Sequence, residues 1–158
     1  QKKNKDSKFD DHNFLTLGIE PLSEIFSSEY LYKITRPINR SIKNFLMDGR
    51  YISGLGNIYV TEALFRSGVH PMTISSKIGR IRCSRLCFSI KSVLTEAIKF
   101  GGSTLKDFSD IDGEKGKYIN MHLIYGKKFK PCPICNTSLS SMLISQRNSV
   151  FCKKCQKK

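Results

Sequence analysis

Apolar side chains recur at helical spacing through the first hundred positions, glycine and proline punctuate them, and four cysteines form two C-x2-C pairs in the last 27 residues. Together these features predict a mostly α fold followed by a small β zinc-finger hairpin. At 158 residues and 39% hydrophobic, the chain is long enough for one good core or two small ones. No run approaches the roughly 18 apolar residues of a membrane span. The opening QKKNKDSKFDD is too polar for a signal peptide. A soluble, intracellular protein with no membrane partner is expected.

Residues 1–13 carry no apolar periodicity and read as a linker remnant. Gln1 in place of Met, ahead of that charged stretch, reads as the start of a fragment. Structure is expected from Phe14. Pro21, Leu22, Phe26, Tyr30 and Leu31 suggest a short helix that breaks before Pro37, because the residue preceding proline avoids helical angles. A second helix is expected from Arg40 to Asp48, with Ile42, Phe45 and Leu46 on one face and Gly49 ending it. Gly54, Leu55, Gly56 and Asn57 form a tight connection to a third helix. Asn57 stands in its N-cap place, Ile58, Ala63, Leu64 and Phe65 are its buried positions, and it closes at Gly68. A long helix from Ser75 to Phe100 is supported by Ile78, Ile81, Leu86, Ile90, Val93, Leu94 and Ala97, with Gly101 and Gly102 terminating it. The stretch 103–118, with turn signals that include Asp112-Gly113, reads as a loop within a helical domain of residues 14–125. In the remaining domain, residues 126–158, Leu139–Ile144 and Ser149–Phe151 are expected as strands flanking a turn at Gln146, Arg147 and Asn148.

The net charge is +14, unevenly spread. Residues 1–34 hold five basic and six acidic side chains, residues 35–130 seventeen and seven, and residues 131–158 five and none. A polyanionic partner fits this balance, and a ribosomal or anionic-membrane surface fits the charge equally well. The chemistry is more specific. Cys132 and Cys135, sixteen intervening residues, then Cys152 and Cys155 give two knuckles whose four thiolates can close a tetrahedron around one Zn2+. Two disulfides or four core cysteines suit this polar, lysine-rich segment poorly, since it has few apolar residues to fold it unaided. Four protein ligands leave no open position, so the metal is structural and presents Arg147 at the hairpin tip. Cys83 and Cys87, four apart on the long helix, read as small buried hydrophobes with no assigned role.

A helix, a glycine turn and a second helix amid basic side chains can also hold a phosphate on exposed amides. There Lys43 would add a charge-assisted contact, and Gly54 and Gly56 would allow close approach. The opposite reading, with Asn57 a simple cap and Lys43 a solvated surface lysine, is equally open from the residues alone.

The stretch from Ile42 to Pro71, IKNFLMDGRYISGLGNIYVTEALFRSGVHP, resembles the helix-two-turns-helix segment of the formamidopyrimidine-DNA glycosylase and endonuclease VIII family. In the family's order, GGSTLKDFSDIDGEKGKY resembles the loop that closes over the flipped base, HLIYGKKFKPC the approach to the zinc finger and SQRNSVFCKKCQKK its end. The resemblance runs from about Asn13 to Lys158 and covers the C-terminal half or more of a family member. It implies a helix-two-turns-helix bundle followed by a four-cysteine zinc finger, without the family's N-terminal β-sandwich catalytic domain. That domain's Pro-Glu start and strand-cleaving lysine have no counterpart here.

The resemblance implies that the parent is a bifunctional DNA glycosylase and AP lyase for base excision repair of oxidised purines, formamidopyrimidine and 8-oxoguanine. It would be a monomer in the bacterial cytoplasm, associated with the nucleoid, and its partner would be double-stranded DNA with an oxidised base or abasic site. Lys43, Gly56, Asn57 and Arg147 match DNA-binding positions, and Arg147 also matches the hairpin arginine that helps eliminate the lesion. Thr104, Lys106, Lys117 and Tyr118 fall in the lesion loop. Where family members often carry a run of lysines upstream of Lys43, this chain has Arg36, Pro37, Ile38, Asn39 and Arg40. Without the nucleophile the chain is expected to be inactive alone; the alternative is a stand-alone, catalytically inactive module that binds damaged DNA.

Overall fold

The computed structural model describes residues 18–101 and 121–158. The expected linker remnant and Thr104, Lys106, Lys117 and Tyr118 lie outside them. Among the described residues the order is α1 Ser28–Thr35, α2 Ile42–Leu46, α3 Asn57–Ser67, a 3-10 turn Ser75–Lys77, α4 Arg80–Lys99, β1 Ser140–Ile144 and β2 Arg147–Phe151.

Local chemistry sets each boundary. The Ser27 hydroxyl accepts from the Tyr30 amide, so α1 starts there, and the residues after Pro21 form turns instead of helix. Ser41 caps α2 in the same way through the Asn44 amide. That helix is shorter than the expected 40–48, because Ser41 pairs with Ile74 and the Ile42 and Lys43 amides donate to the Thr73 and Pro71 carbonyls. At α3 the N-cap is Gly56, in extended backbone and without a side-chain cap bond, so Asn57 is the first helical residue and not the cap. The Asn57 side-chain amide instead donates across to the Asn148 carbonyl. Gly68, at φ +74°, closes α3 in the left-handed conformation that favours glycine.

The long helix divides into the 3-10 turn and α4, with extended backbone at Ile78 and Gly79 between them. Its buried stripe is Cys83, Leu86, Cys87, Ile90, Val93, Leu94 and Ala97. At about 100° per residue Ile81 falls opposite that stripe, and it is 70% exposed instead of belonging to the core.

Helix α3 is buried nearly all round, as a helix shared by two cores must be. Val60, Ala63 and Leu64 join Phe26, Leu31, Phe45, Leu86 and Ile90 in the larger core. Phe65 instead packs with Ile124, Leu139, Val150, Cys132 and Cys152 in a second, smaller one. The finger is therefore less dependent on metal alone than its composition suggested, because it borrows an aromatic ring from the helical body. β1 and β2 pair antiparallel, with Ile144 opposite Arg147. Among the described residues no helix is long and apolar enough to cross a membrane.

Two further ties join finger and body. At the C-terminal end, the Lys157 amide donates to Gly68, the His70 amide donates back to Lys157, and the Gln156 side-chain amide reaches the Val69 carbonyl. On the other side, the Glu62 carboxylate on α3 is fully buried and accepts the amides of Leu123, Ile124 and Tyr125 at 2.7, 2.9 and 2.7 Å. Removing it leaves one buried and two part-buried amides without their acceptor, and each unsatisfied buried donor costs about 1–3 kcal/mol. Glu62→Ala is therefore predicted to destabilise the zinc-loaded chain by about 3 kcal/mol or more in urea unfolding. A loss below about 1 kcal/mol would mean that water replaces the carboxylate without penalty.

Candidate zinc centre and its cationic neighbourhood

The four Sγ atoms of Cys132, Cys135, Cys152 and Cys155 lie within 4.8 Å of one another. Cys132 and Cys155 are 3.8 Å apart, and Cys135 and Cys152 are 3.5 Å apart. Four sulfurs at roughly 2.3 Å from a tetrahedral zinc would be roughly 3.8 Å from each other, so the donor set and its spacing fit one structural zinc. Backbone geometry supports thiolates there. The Ile134 amide points at the Cys132 sulfur and the Cys155 amide at the Cys152 sulfur, each at 3.4 Å. Gln156, 2% exposed, accepts the Cys152 amide with Oε1 while Nε2 holds Val69, so the second knuckle is fixed directly to the body.

From this base the hairpin reaches α2 and the start of α3. Its turn is Ser145–Gln146, both at positive φ (51° and 65°), as a two-residue type I′ connection requires. Arg147 is thus the first residue of β2 and not part of the turn, and its side chain is exposed. Three contacts seat the hairpin on the body. Asn57 Nδ2 donates to the Asn148 carbonyl at 3.1 Å, Lys43 Nζ donates to Ser149 Oγ at 2.6 Å, and Ser145 Oγ donates to Asn44 Oδ1.

Lys43 is 1% exposed, which rules out the solvated-surface reading. Burial, with Arg147 adding repulsion, pulls its pKa down from 10.5 to about 8. Two cations held close in a poorly solvated place favour any anion that comes between them. The adjoining backbone leaves room for one. Gly54 sits at φ +76°, and a Cβ at either Gly54 or Gly56 would meet no protein atom within 4 Å. Asn57 Oδ1 is buried without a partner among the described residues. Lys43, Gly56, Asn57 and Arg147 are thus brought to one face. Arg36 is not: its guanidinium donates to the Ser75, Ser76 and Ile78 carbonyls and lies over the Tyr32 ring. Sequence reasoning missed Glu62, Ser149 and Gln156; Glu62 alone carries a local signal, a carboxylate inside the otherwise apolar stretch 58–65, whereas Ser149 and Gln156 stand among polar neighbours.

Residues 17–109 match the formamidopyrimidine-DNA glycosylase H2TH domain, and residues 129–158 match the zinc finger found in FPG and IleRS. The formamidopyrimidine-DNA glycosylase of Histophilus somni strain 129Pt is 50% identical over 147 residues, covering 93% of this chain and 54% of the relative. That of Haemophilus influenzae strain KW20 is 48% identical over 149 residues, covering 94% and 55%. The chain spans about half the length of the curated relatives it matches. Among solved structures, the MutM (Fpg) protein of Thermus thermophilus superposes with a TM-score of 0.82 at 37% identity, covering 90% of this chain and 54% of that one. A complex between Lactococcus lactis Fpg and DNA containing an abasic site gives a TM-score of 0.81 at 28% identity, covering 100% and 56%.

Two outcomes are expected of the site. Cys152→Ser should bind less than one zinc per chain by metal analysis and lose the amide dispersion of residues 129–158 in NMR spectra; a fully loaded, folded finger would show that three thiolates suffice. The depressed Lys43 pKa means that the unfolded chain binds the extra proton between about pH 8 and 10.5, so stability rises with pH across that window. Relative to Lys43→Met, the unaltered chain should gain on the order of 2 kcal/mol between about pH 7.5 and 9.5 in urea midpoints. Parallel pH profiles would contradict the burial of a charged lysine.

Proposed function

We infer, for a chain that belongs to the formamidopyrimidine-DNA glycosylase family, that the Gly54–Asn57 turn and the zinc hairpin together grip the backbone of duplex DNA at an oxidised base or abasic site. The observation that carries this reading is the seating of the Arg147 strand against the Gly56–Asn57 turn through Asn57 to Asn148, and against α2 through Lys43 to Ser149. It supplies an exposed guanidinium, a buried ammonium and open backbone at the positive end of α3, which suits phosphate oxygens.

The rest of the reading follows from what a damaged base requires. A duplex hides the target atom, so an enzyme acting on it must extrude the nucleotide and hold the distorted backbone while the chemistry proceeds. The part assigned to this chain is the hold, with Arg147 on the phosphate beside the lesion and assisting its elimination. Removal of oxidised purines and strand cleavage through a Schiff base are assigned to the whole family protein, whose N-terminal proline would be the nucleophile. The zinc ion keeps the hairpin in shape and takes no part in the reaction.

Two experiments test this reading. Arg147→Ala should weaken binding to a duplex carrying an abasic site by about tenfold, the equivalent of one charge-assisted hydrogen bond, and lower the salt slope of binding by about one. Its zinc content should not change. Unaltered affinity with zinc retained would remove Arg147 from the interface. Incubating the chain with abasic duplex and borohydride should give a bound but untrapped complex. A covalent product would place a nucleophile within this sequence and contradict the division of labour.

A further inference from the structure

Ser149 is 1% exposed in the middle of β2, two residues from Arg147 and three from Cys152. A hydroxyl buried to that degree is unfavourable unless it is bonded. This one accepts from Lys43 Nζ at 2.6 Å and lies 3.4 Å from the Arg147 carbonyl, to which it donates. Lys43 in turn is confined: it is 1% exposed, and its backbone is held in α2, whose Lys43 and Ile42 amides are bound to Pro71 and Thr73. The ammonium therefore meets an incoming anion from the place where Ser149 holds it.

We propose that Ser149 is a positioning residue, whose hydroxyl ties the Lys43 ammonium to the arginine-bearing strand so that Lys43 and Arg147 meet one DNA phosphate as a single rigid unit. This rests on the reading that the face binds DNA. A serine without that bond would leave the two cations, which repel each other, free to separate by rotation of the lysine side chain and shift of the hairpin tip. The carbonyl contact adds a second constraint, because it fixes the peptide that immediately follows the Arg147 Cα.

The hydroxyl can be tested at constant volume. Ser149→Thr and Ser149→Val add nearly the same bulk, and only threonine keeps the donor and acceptor. Affinity for a duplex carrying a tetrahydrofuran abasic analogue is measured by fluorescence anisotropy on zinc-loaded protein. Threonine should bind within about twofold of the unaltered chain, and valine about fivefold more weakly, the loss of one ordinary hydrogen bond. In an Arg147→Ala background the threonine and valine variants should bind alike, because the hydroxyl acts through the pair. Equal affinity of the two variants with Arg147 present overturns the proposal while leaving the DNA-binding reading intact. A fivefold gap that persists without Arg147 overturns it as well, because it would make Ser149 a local packing residue. If Arg147→Ala alone binds as tightly as the unaltered chain, the underlying reading fails along with the proposal.

Discussion

A short hairpin can hold an arginine in a fixed direction only if its base cannot rotate, and the burial of α3 on two sides is what prevents rotation here. One side of that helix completes the helical core through Val60, Ala63 and Leu64; Phe65 on another side completes the core under the zinc knuckles. The metal closes the finger on itself, and Phe65, Glu62 and Gln156 close it on the body. Neither would be enough alone. Two strands of five residues have too little surface to persist in water, and a zinc finger on a free tether would carry its arginine anywhere within reach.

The cationic face follows from this arrangement at an energetic cost. Bringing Lys43 under the hairpin lowers its pKa to about 8, a penalty of about 3 kcal/mol for the charged form at neutral pH. A protein optimised for stability alone would place an apolar residue there. A buried, hydrogen-bonded ammonium beside an exposed guanidinium makes sense if an anion arrives to offset the repulsion, which is the usual logic of a binding site whose stability is sacrificed for affinity.

Local signals made much of this legible in advance. The knuckle spacing identified the metal and its four ligands, the 3.6-residue periodicity placed three of the helices, and Gly68 marked an end that needs positive φ. What failed did so where long-range contacts decide. Asn57 has the composition of an N-cap, but its side-chain amide is drawn across to Asn148, and Gly56 takes the cap position. The turn was misplaced because Ser145-Gln146 is not the Asn-Gly signature of a type I′ hairpin; tertiary seating, including Ser145 on Asn44, stabilises a conformation the pair does not favour. Ile81 is apolar yet lies on the far side of α4. Lys43 could not be located from sequence because lysine is seldom buried, and its partner Ser149 lies on the hairpin, far along the chain.

If the glycine turn and the zinc hairpin form one continuous DNA-facing surface, a single ligand must perturb both at once. Amide chemical-shift mapping of the zinc-loaded chain titrated with an abasic duplex tests this most directly. The account predicts that the largest changes cluster at residues 54–57 and 145–149 together, along one binding curve. Changes centred on the exposed side of α4, around Ile81 and Phe88, with the turn and hairpin unmoved, would contradict it.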